Sequence, residues 1–180
     1  MRYQPQEGDL IFQSLPRGAL VEAIEGCTGS PYSHCGIVMQ REGRWVVLEA
    51  IGTVHETPLF SWIRRGRQSF FDVYRLKPEH QPRIAEMLAK ARGYLGRPYD
   101  IHYELDDEKI YCSELIWKAW RDAGGSDLGT LEKLGAMNWQ PHREVIVSIE
   151  GRVPLEREMI TPRAVAEAAQ VEKVFSFRPY

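Results

Sequence analysis

Ser33-His34-Cys35-Gly36-Ile37-Val38-Met39-Gln40 and Trp45-Val46-Val47-Leu48-Glu49-Ala50, joined by Arg41-Glu42-Gly43-Arg44, are two β-rich runs around a short polar connection, a hairpin signal. With a loop of two or four residues centred on Glu42-Gly43, Gln40 pairs with Trp45 and Gly36 with Glu49. Residues i and i+2 of a strand share a face, so His34 and Glu49 then project together as diagonal neighbours. Such pairs are roughly 7–8 Å apart at the backbone, within reach of long side chains, and Gly36 leaves room between them. A three-residue loop would shift the register by one and put the two on opposite faces. On the first register, a carboxylate beside an imidazole fixes its tautomer and stabilises the imidazolium, as a base and its orienter require. The plainer alternatives are a structural His and an exposed Glu at a strand end.

Working outward, Leu10-Ile11-Phe12 after the Gly8-Asp9 turn reads as a strand, and residues 17–27 as a helix bearing Leu20, Val21, Ala23 and Ile24 on one face. Gly26 to Pro31 is a loop, Val54–Leu59 and Phe70–Leu76 are further strand candidates, and Pro82–Leu95 has helical spacing. Ile110 to Ala123 is the best-defined helix: Leu115, Ile116, Ala119, Trp120 and Ala123 form a stripe, and Gly124-Gly125 stops it. Asp106, Asp107 and Glu108 are expected at its first turn, where the helix dipole favours acid. After the apolar run Val145–Ile149, Thr161–Ala169 suggests a small capping helix. Strands followed by helices predict an α+β fold with a mostly antiparallel sheet, and the 180 residues are expected to form one domain, 1–180.

Composition narrows the function. Lys and Arg number 23 against 25 Asp and Glu, a net charge of −2 that gives no electrostatic reason to expect nucleic acid. Hydrophobic residues at 43%, including five Trp and eight Tyr, argue against disorder. Three cysteines are too few for a disulfide framework. Cys27, His34, Cys35 and Cys112 match no zinc spacing, so neither metal nor other cofactor is expected. No stretch is long and apolar enough for a transmembrane segment, and the N-terminal ten residues lack the apolar run of a signal peptide. A cytoplasmic location is the expectation.

Cys112, in Tyr111-Cys112-Ser113-Glu114-Leu115, falls in the first turn of its helix, where unpaired N–H groups stabilise a thiolate. A small buried core cysteine is the bland alternative. Tyr32, Trp62, Tyr99, Tyr103 and Trp139 are aromatic candidates for a pocket and equally ordinary core. Arg64, Arg65 and Arg67 read as solvated surface, with capture of a substrate carboxylate as the other use. His102 reaches the site only if the loop before Cys112 folds back.

Gly96-Arg97-Pro98-Tyr99-Asp100 followed by Tyr111-Cys112-Ser113-Glu114-Leu115 resembles the Gly-x-Pro-Tyr and Cys-Ser elements of NlpC-like papain-fold cysteine peptidases. The order, with Ser33-His34 first, Glu49 second and Cys112 last, is similar to the circularly permuted branch, the YiiX-like amidases. That branch is related more distantly to the lecithin–retinol acyltransferase group. Gly8-Asp9-Leu10-Ile11 and Ile160-Thr161-Pro162 fit the branch's opening and closing segments, so the resemblance spans nearly the whole chain. It implies a papain-like fold with the Cys helix packed on an antiparallel sheet, Cys112 as nucleophile, His34 as base, Glu49 as orienter, and Tyr99 as a supporting residue at the substrate. Many YiiX-like proteins carry an export signal and this sequence shows none, which argues against a cell-wall substrate.

The function expected is thiol-dependent hydrolysis of an amide bond in a small peptide, isopeptide or amino-acid amide, murein-type peptides included, through an acyl-enzyme. The alternatives are a lipid acyltransferase or phospholipase using the same three residues, a non-catalytic peptide-binding module, and a zinc-binding structural domain.

Overall fold

The computed structural model describes residues 3–178. Six strands form one antiparallel sheet: β1 (Leu10–Gln13), β2 (His34–Arg41), β3 (Arg44–Ile51), β4 (Thr53–Pro58), β5 (Phe71–Leu76) and β8 (Val171–Phe177), in the order β4-β3-β2-β1-β5-β8. Two short strands, β6 (Glu132–Lys133) and β7 (Glu158–Met159), pair separately. Central β1 is buried along its whole length, which is why Leu10-Ile11-Phe12 reads as a continuous apolar run.

The β2–β3 connection is the two-residue loop Glu42-Gly43, with Arg41 opposite Arg44, Gln40 opposite Trp45 and Ile37 opposite Leu48. Both loop residues have positive φ, 51° and 76°, the left-handed pair that a hairpin turn of this length needs to match strand twist. The parity is therefore the one that puts His34 and Glu49 on a common face.

Strand alternation builds two cores. Leu10, Phe12, Cys35, Ile37, Leu48 and Ala50 face α3 (Ile84–Arg92), α4 (Cys112–Asp122) and α6 (Pro162–Ala166). Ile11, Val38, Val47 and Val73 face the other way, against α2 (Leu59–Arg65). Helices α1 (Ala19–Thr28) and α5 (Arg143–Glu150) pack together at one end.

The expected elements recur with local differences. Pro82 lies in a 3₁₀ turn, Pro78–Arg83, ahead of α3, because its ring cannot sit in a helix interior. Leu59 opens α2 instead of ending β4. Asp106, Asp107 and Glu108 are not in the first turn of α4 but in the loop before it, where the Asp106 carbonyl and Asp107 carboxylate receive the buried Lys118 ammonium. Glu114 is the acid of the first turn, its Oε2 accepting the Tyr111 N–H at 3.1 Å. Among the described residues no helix is long and apolar enough to cross a membrane.

Candidate active site

The N-terminus of α4 is held from both sides of its cysteine. Tyr111 Oη accepts the Ile160 N–H at 3.0 Å and Ser113 Oγ donates to the Ile160 carbonyl at 2.8 Å, so the closing segment grips the helix start. Thr161 then caps α6, accepting from the Ala164 N–H. Cys112 is the first residue of α4, with its amide among those lacking an intrahelical partner.

His34 is the first residue of β2, so its ring lies at the end of the sheet and can serve both faces. It stacks on Trp62 on one side, with ring centroids 5.9 Å apart, and its Nε2 meets Glu49 Oε2 at 2.5 Å. The other ring nitrogen remains for Cys112. Glu49 and His34 are 0% and 2% exposed, and Cys112 is 3% exposed.

Glu49 is the hub. Its Oε2 accepts from His34, from Trp62 Nε1 at 2.9 Å and from Arg65 Nη2, while Oε1 accepts from Thr57 Oγ1 at 2.5 Å. Burial would lift its carboxyl, yet the His34 hydrogen bond, then Arg65 and Thr57, hold it at about 2. Gly36 makes the approach feasible: a Cβ there would stand 2.5 Å from Val47 Cγ1 and 2.8 Å from the Leu48 carbonyl.

The charges form a chain. Burial alone would push the His34 imidazolium down, but Cys112 and Glu49 outweigh it and lift it to about 9. Cys112 is held well below the usual thiol range, first by the Cys35 thiol and then by His34 and the Cys35 backbone N–H, all against burial. The neighbouring Cys35 thiol is itself pushed up, so of the two it is the one that keeps its proton. Both shifts run in the direction that favours a thiolate beside an imidazolium.

Gly96-Arg97-Pro98-Tyr99 runs beside β4: Val54 N–H donates to the Arg97 carbonyl, and Tyr99 N–H to the Gly52 carbonyl at 2.9 Å. Tyr99 Oη donates to Tyr103 Oη at 3.3 Å, and the Cys112 charge helps raise its phenol well above the usual range after burial and Tyr103. Tyr99 is thus held between the end of β4 and Tyr103. The loop before α4 does fold back, and His102 and Tyr103 join the wall of a cavity that also contains Cys112.

That cavity has a volume of about 100 Å³ and almost wholly apolar walls. Leu20 and Ile24 of α1, Ile146 and Ile149 of α5, Met137 and Met159 supply most of them. At one side His102, Glu150 and Arg157 are paired with one another, Arg157 Nη1 to Glu150 Oε1 at 2.5 Å.

Arg65 is not solvated surface but a partner of Glu49, and Arg67 pairs with Glu25. Trp62 stands behind His34 and Glu49, and Tyr32 belongs to a buried group with Asp72; neither Trp62, Tyr32, Trp139 nor Tyr99 lines the cavity. Cys35, considered before only as a metal ligand, adjoins the thiol. Trp62 and Arg65 had a readable signal, an i,i+3 spacing that puts both on one helix face. The cavity had none, because it is built by α1 and α5 across long sequence separations.

Residues 4–175 match the family described as permuted papain-like amidase enzymes, YaeF/YiiX, C92 family. The chain belongs to this family. It is 36% identical to the uncharacterized protein YiiX of Escherichia coli strain K12, over 96% of this chain and 87% of that protein. A crystal structure of YiiX from Escherichia coli O157:H7, described as a metalloprotein, superposes with a TM-score of 0.89 at 35% identity, covering 98% of this chain and all of that one. The family places the α+β fold, with its six-stranded antiparallel sheet, among the papain-like folds, and thiol hydrolase chemistry is supported at family level.

Proposed function

We propose that this protein hydrolyses an amide whose acyl part is apolar, with Cys112 as nucleophile, His34 as base and acid, Glu49 as orienter and Tyr99 as a supporting residue. In this reading the Cys112 thiolate attacks the carbonyl carbon, and the oxygen takes up the negative charge. The Cys112 N–H, exposed at the helix start, donates to that oxygen. His34 then gives its proton to the leaving amine as the C–N bond breaks, forming a thioester. Water, deprotonated by His34, attacks the thioester, releasing the acid and returning the thiolate–imidazolium pair.

The observation that carries the reading is the Arg65–Glu49–His34–Cys112 line of contacts ending at an apolar cavity. The same cavity favours a second reading, transfer of a lipid acyl group by the same three residues, because it offers an alkyl chain a site and a charged peptide side chain little. Against a third reading, a binding module without chemistry, stands the placement of the Cys112 thiol at a helix start beside His34, which binding alone does not call for.

The YiiX structure's description raises a metal for this chain also. Among the described residues no group of three or more His, Cys, Asp or Glu side chains is arranged to hold one. No step above runs through a metal.

The test uses p-nitroanilides and p-nitrophenyl esters of straight-chain acids, with intact-mass detection of the acyl-enzyme. Each methylene buried in the cavity contributes about 0.8 kcal/mol, or about fourfold in kcat/KM. The expected result is a +acyl adduct on Cys112 that forms faster with chain length, is absent in Cys112→Ala, and is relieved by water. Relief by added amines or alcohols in preference to water selects the acyltransferase reading, and no adduct with any chain length overturns both.

A further inference from the structure

Glu49 is fully buried and ionised, yet its partner His34 must alternate between charged and neutral if it shuttles a proton. While His34 is an imidazolium, the carboxylate is compensated. Once His34 has given up its proton, a buried carboxylate facing a neutral ring is strongly unfavourable unless another cation is at hand. Arg65 is that cation. Its Nη2 shares Glu49 Oε2 with His34 and Trp62, and a guanidinium does not deprotonate in proteins. The other groups facing Glu49 are Thr57, which is uncharged, and His55, whose Nε2 lies 3.8 Å from Oε1 on a side chain 42% exposed. Placement follows from local sequence: α2 starts directly after β4, and Trp62 and Arg65, one turn apart, both reach back to β3.

We propose that Arg65 is a positioning residue of the thiol centre, a permanent counter-charge that keeps Glu49 ionised and oriented while His34 releases its proton. The proposal rests on the amidase reading above. Its consequence is selective. Protonation of a leaving amine needs His34 to part with its proton, whereas p-nitrophenolate leaves without one. Loss of Arg65 makes the imidazolium harder to deprotonate, so amides should suffer and activated esters should be nearly spared.

The experiment compares wild type with Arg65→Gln and Arg65→Lys. Expected for Arg65→Gln is a fall of about tenfold in the ratio of amide to ester kcat/KM, and a His34 titration, followed by ¹⁵N NMR, displaced upward by about one unit. Arg65→Lys should recover most of both, because only one nitrogen of Arg65 contacts the carboxylate. Equal losses on amide and ester with the His34 titration unmoved would make Arg65 merely structural and overturn the proposal. The titration needs no substrate. If wild-type Cys112 resists iodoacetamide at neutral pH, the amidase reading fails; if it reacts and the Arg65→Gln titration is unchanged, only the role of Arg65 fails.

Discussion

Gly36→Ala tests the geometry that joins the hairpin to the site. The added methyl would lie 2.5 Å from Val47 Cγ1, 2.8 Å from the Leu48 carbonyl oxygen and 3.4 Å from Glu49 Cβ. Val47 is fully buried and the Leu48 carbonyl is part of β3, so the strand itself must give way. Overpacking of this kind costs about 1–3 kcal/mol. For a chain of this size each kcal/mol lowers Tm by about 2–4 °C, giving a predicted loss of about 2–12 °C. The same displacement moves Glu49 relative to His34. A misplacement of about 1 Å can cost about 100-fold in rate, so a shift of a few tenths of an ångström should slow the thiol chemistry by roughly tenfold. Differential scanning fluorimetry and the iodoacetamide rate at Cys112, read by peptide mass spectrometry at pH 7, measure the two effects. An alanine variant with wild-type Tm and wild-type alkylation would refute the reasoning, because it would mean that β2 and β3 do not approach as described.

Three further outcomes follow from the contacts. Cys35→Val removes the thiol donor beside Cys112 and should move the alkylation profile of Cys112 to higher pH, with Cys35→Ser restoring much of the shift. Tyr111→Phe strips the buried Ile160 N–H of its acceptor and should cost about 1–3 kcal/mol in urea unfolding. The Cys112–His34 pair has a defined pH signature. Cys112 is lowered and so contributes stability that is lost as pH falls; His34 is raised from 6.5 to about 9 and contributes stability that is lost as pH rises between those values. From pH 6.5 to 9 the two slopes cancel, and below 6.5 only the Cys112 slope remains. The unfolding free energy of wild type relative to a Cys112→Ala, His34→Gln double variant should therefore be level from pH 6.5 to 9 and fall below 6.5. A difference that declines steadily between 6.5 and 9 would show that the thiol is not ionised in the folded protein.

Much of the sheet was legible because its signals are local. Glu42-Gly43 sets the hairpin parity, alternation along Cys35–Met39 and Val46–Ala50 separates the two faces, and Gly124-Gly125 ends α4 where the stripe ends. The proximity of His34 to Glu49 followed from register alone. The joining of Cys112 to that pair did not, since it depends on α4 crossing β2, and only the resemblance of the motifs pointed to it. Arg65 was misread because a run of arginines after an apolar segment has the look of a solvated surface; a buried carboxylate opposite it is invisible until β3, β4 and α2 are stacked. Asp106–Glu108 was misread for a similar reason. Asp106 offers its carbonyl and Asp107 its carboxylate to Lys118, a buried cation nearly two turns into the helix, and a local dipole argument cannot anticipate a tertiary partner. Strand β8 escaped notice because Glu172 and Lys173 break the alternation, as suits an exposed edge.

The permuted order has a consequence during synthesis. His34, Glu49 and Arg65 leave the ribosome before α3, and Cys112 only after it, so the imidazole of His34 is already in the chain when the Cys112 thiol appears. At no stage of translation is the Cys112 sulfur in the chain without His34. The largely exposed turn Pro78–Arg83 is the seam between these halves. A chain cut there yields one fragment with an ordinary imidazole and another with an ordinary thiol. His34 and Cys112 meet again only when β5 takes back β8 and α4 settles on β2, so on the amidase reading reactivity of the sulfur would report complete assembly.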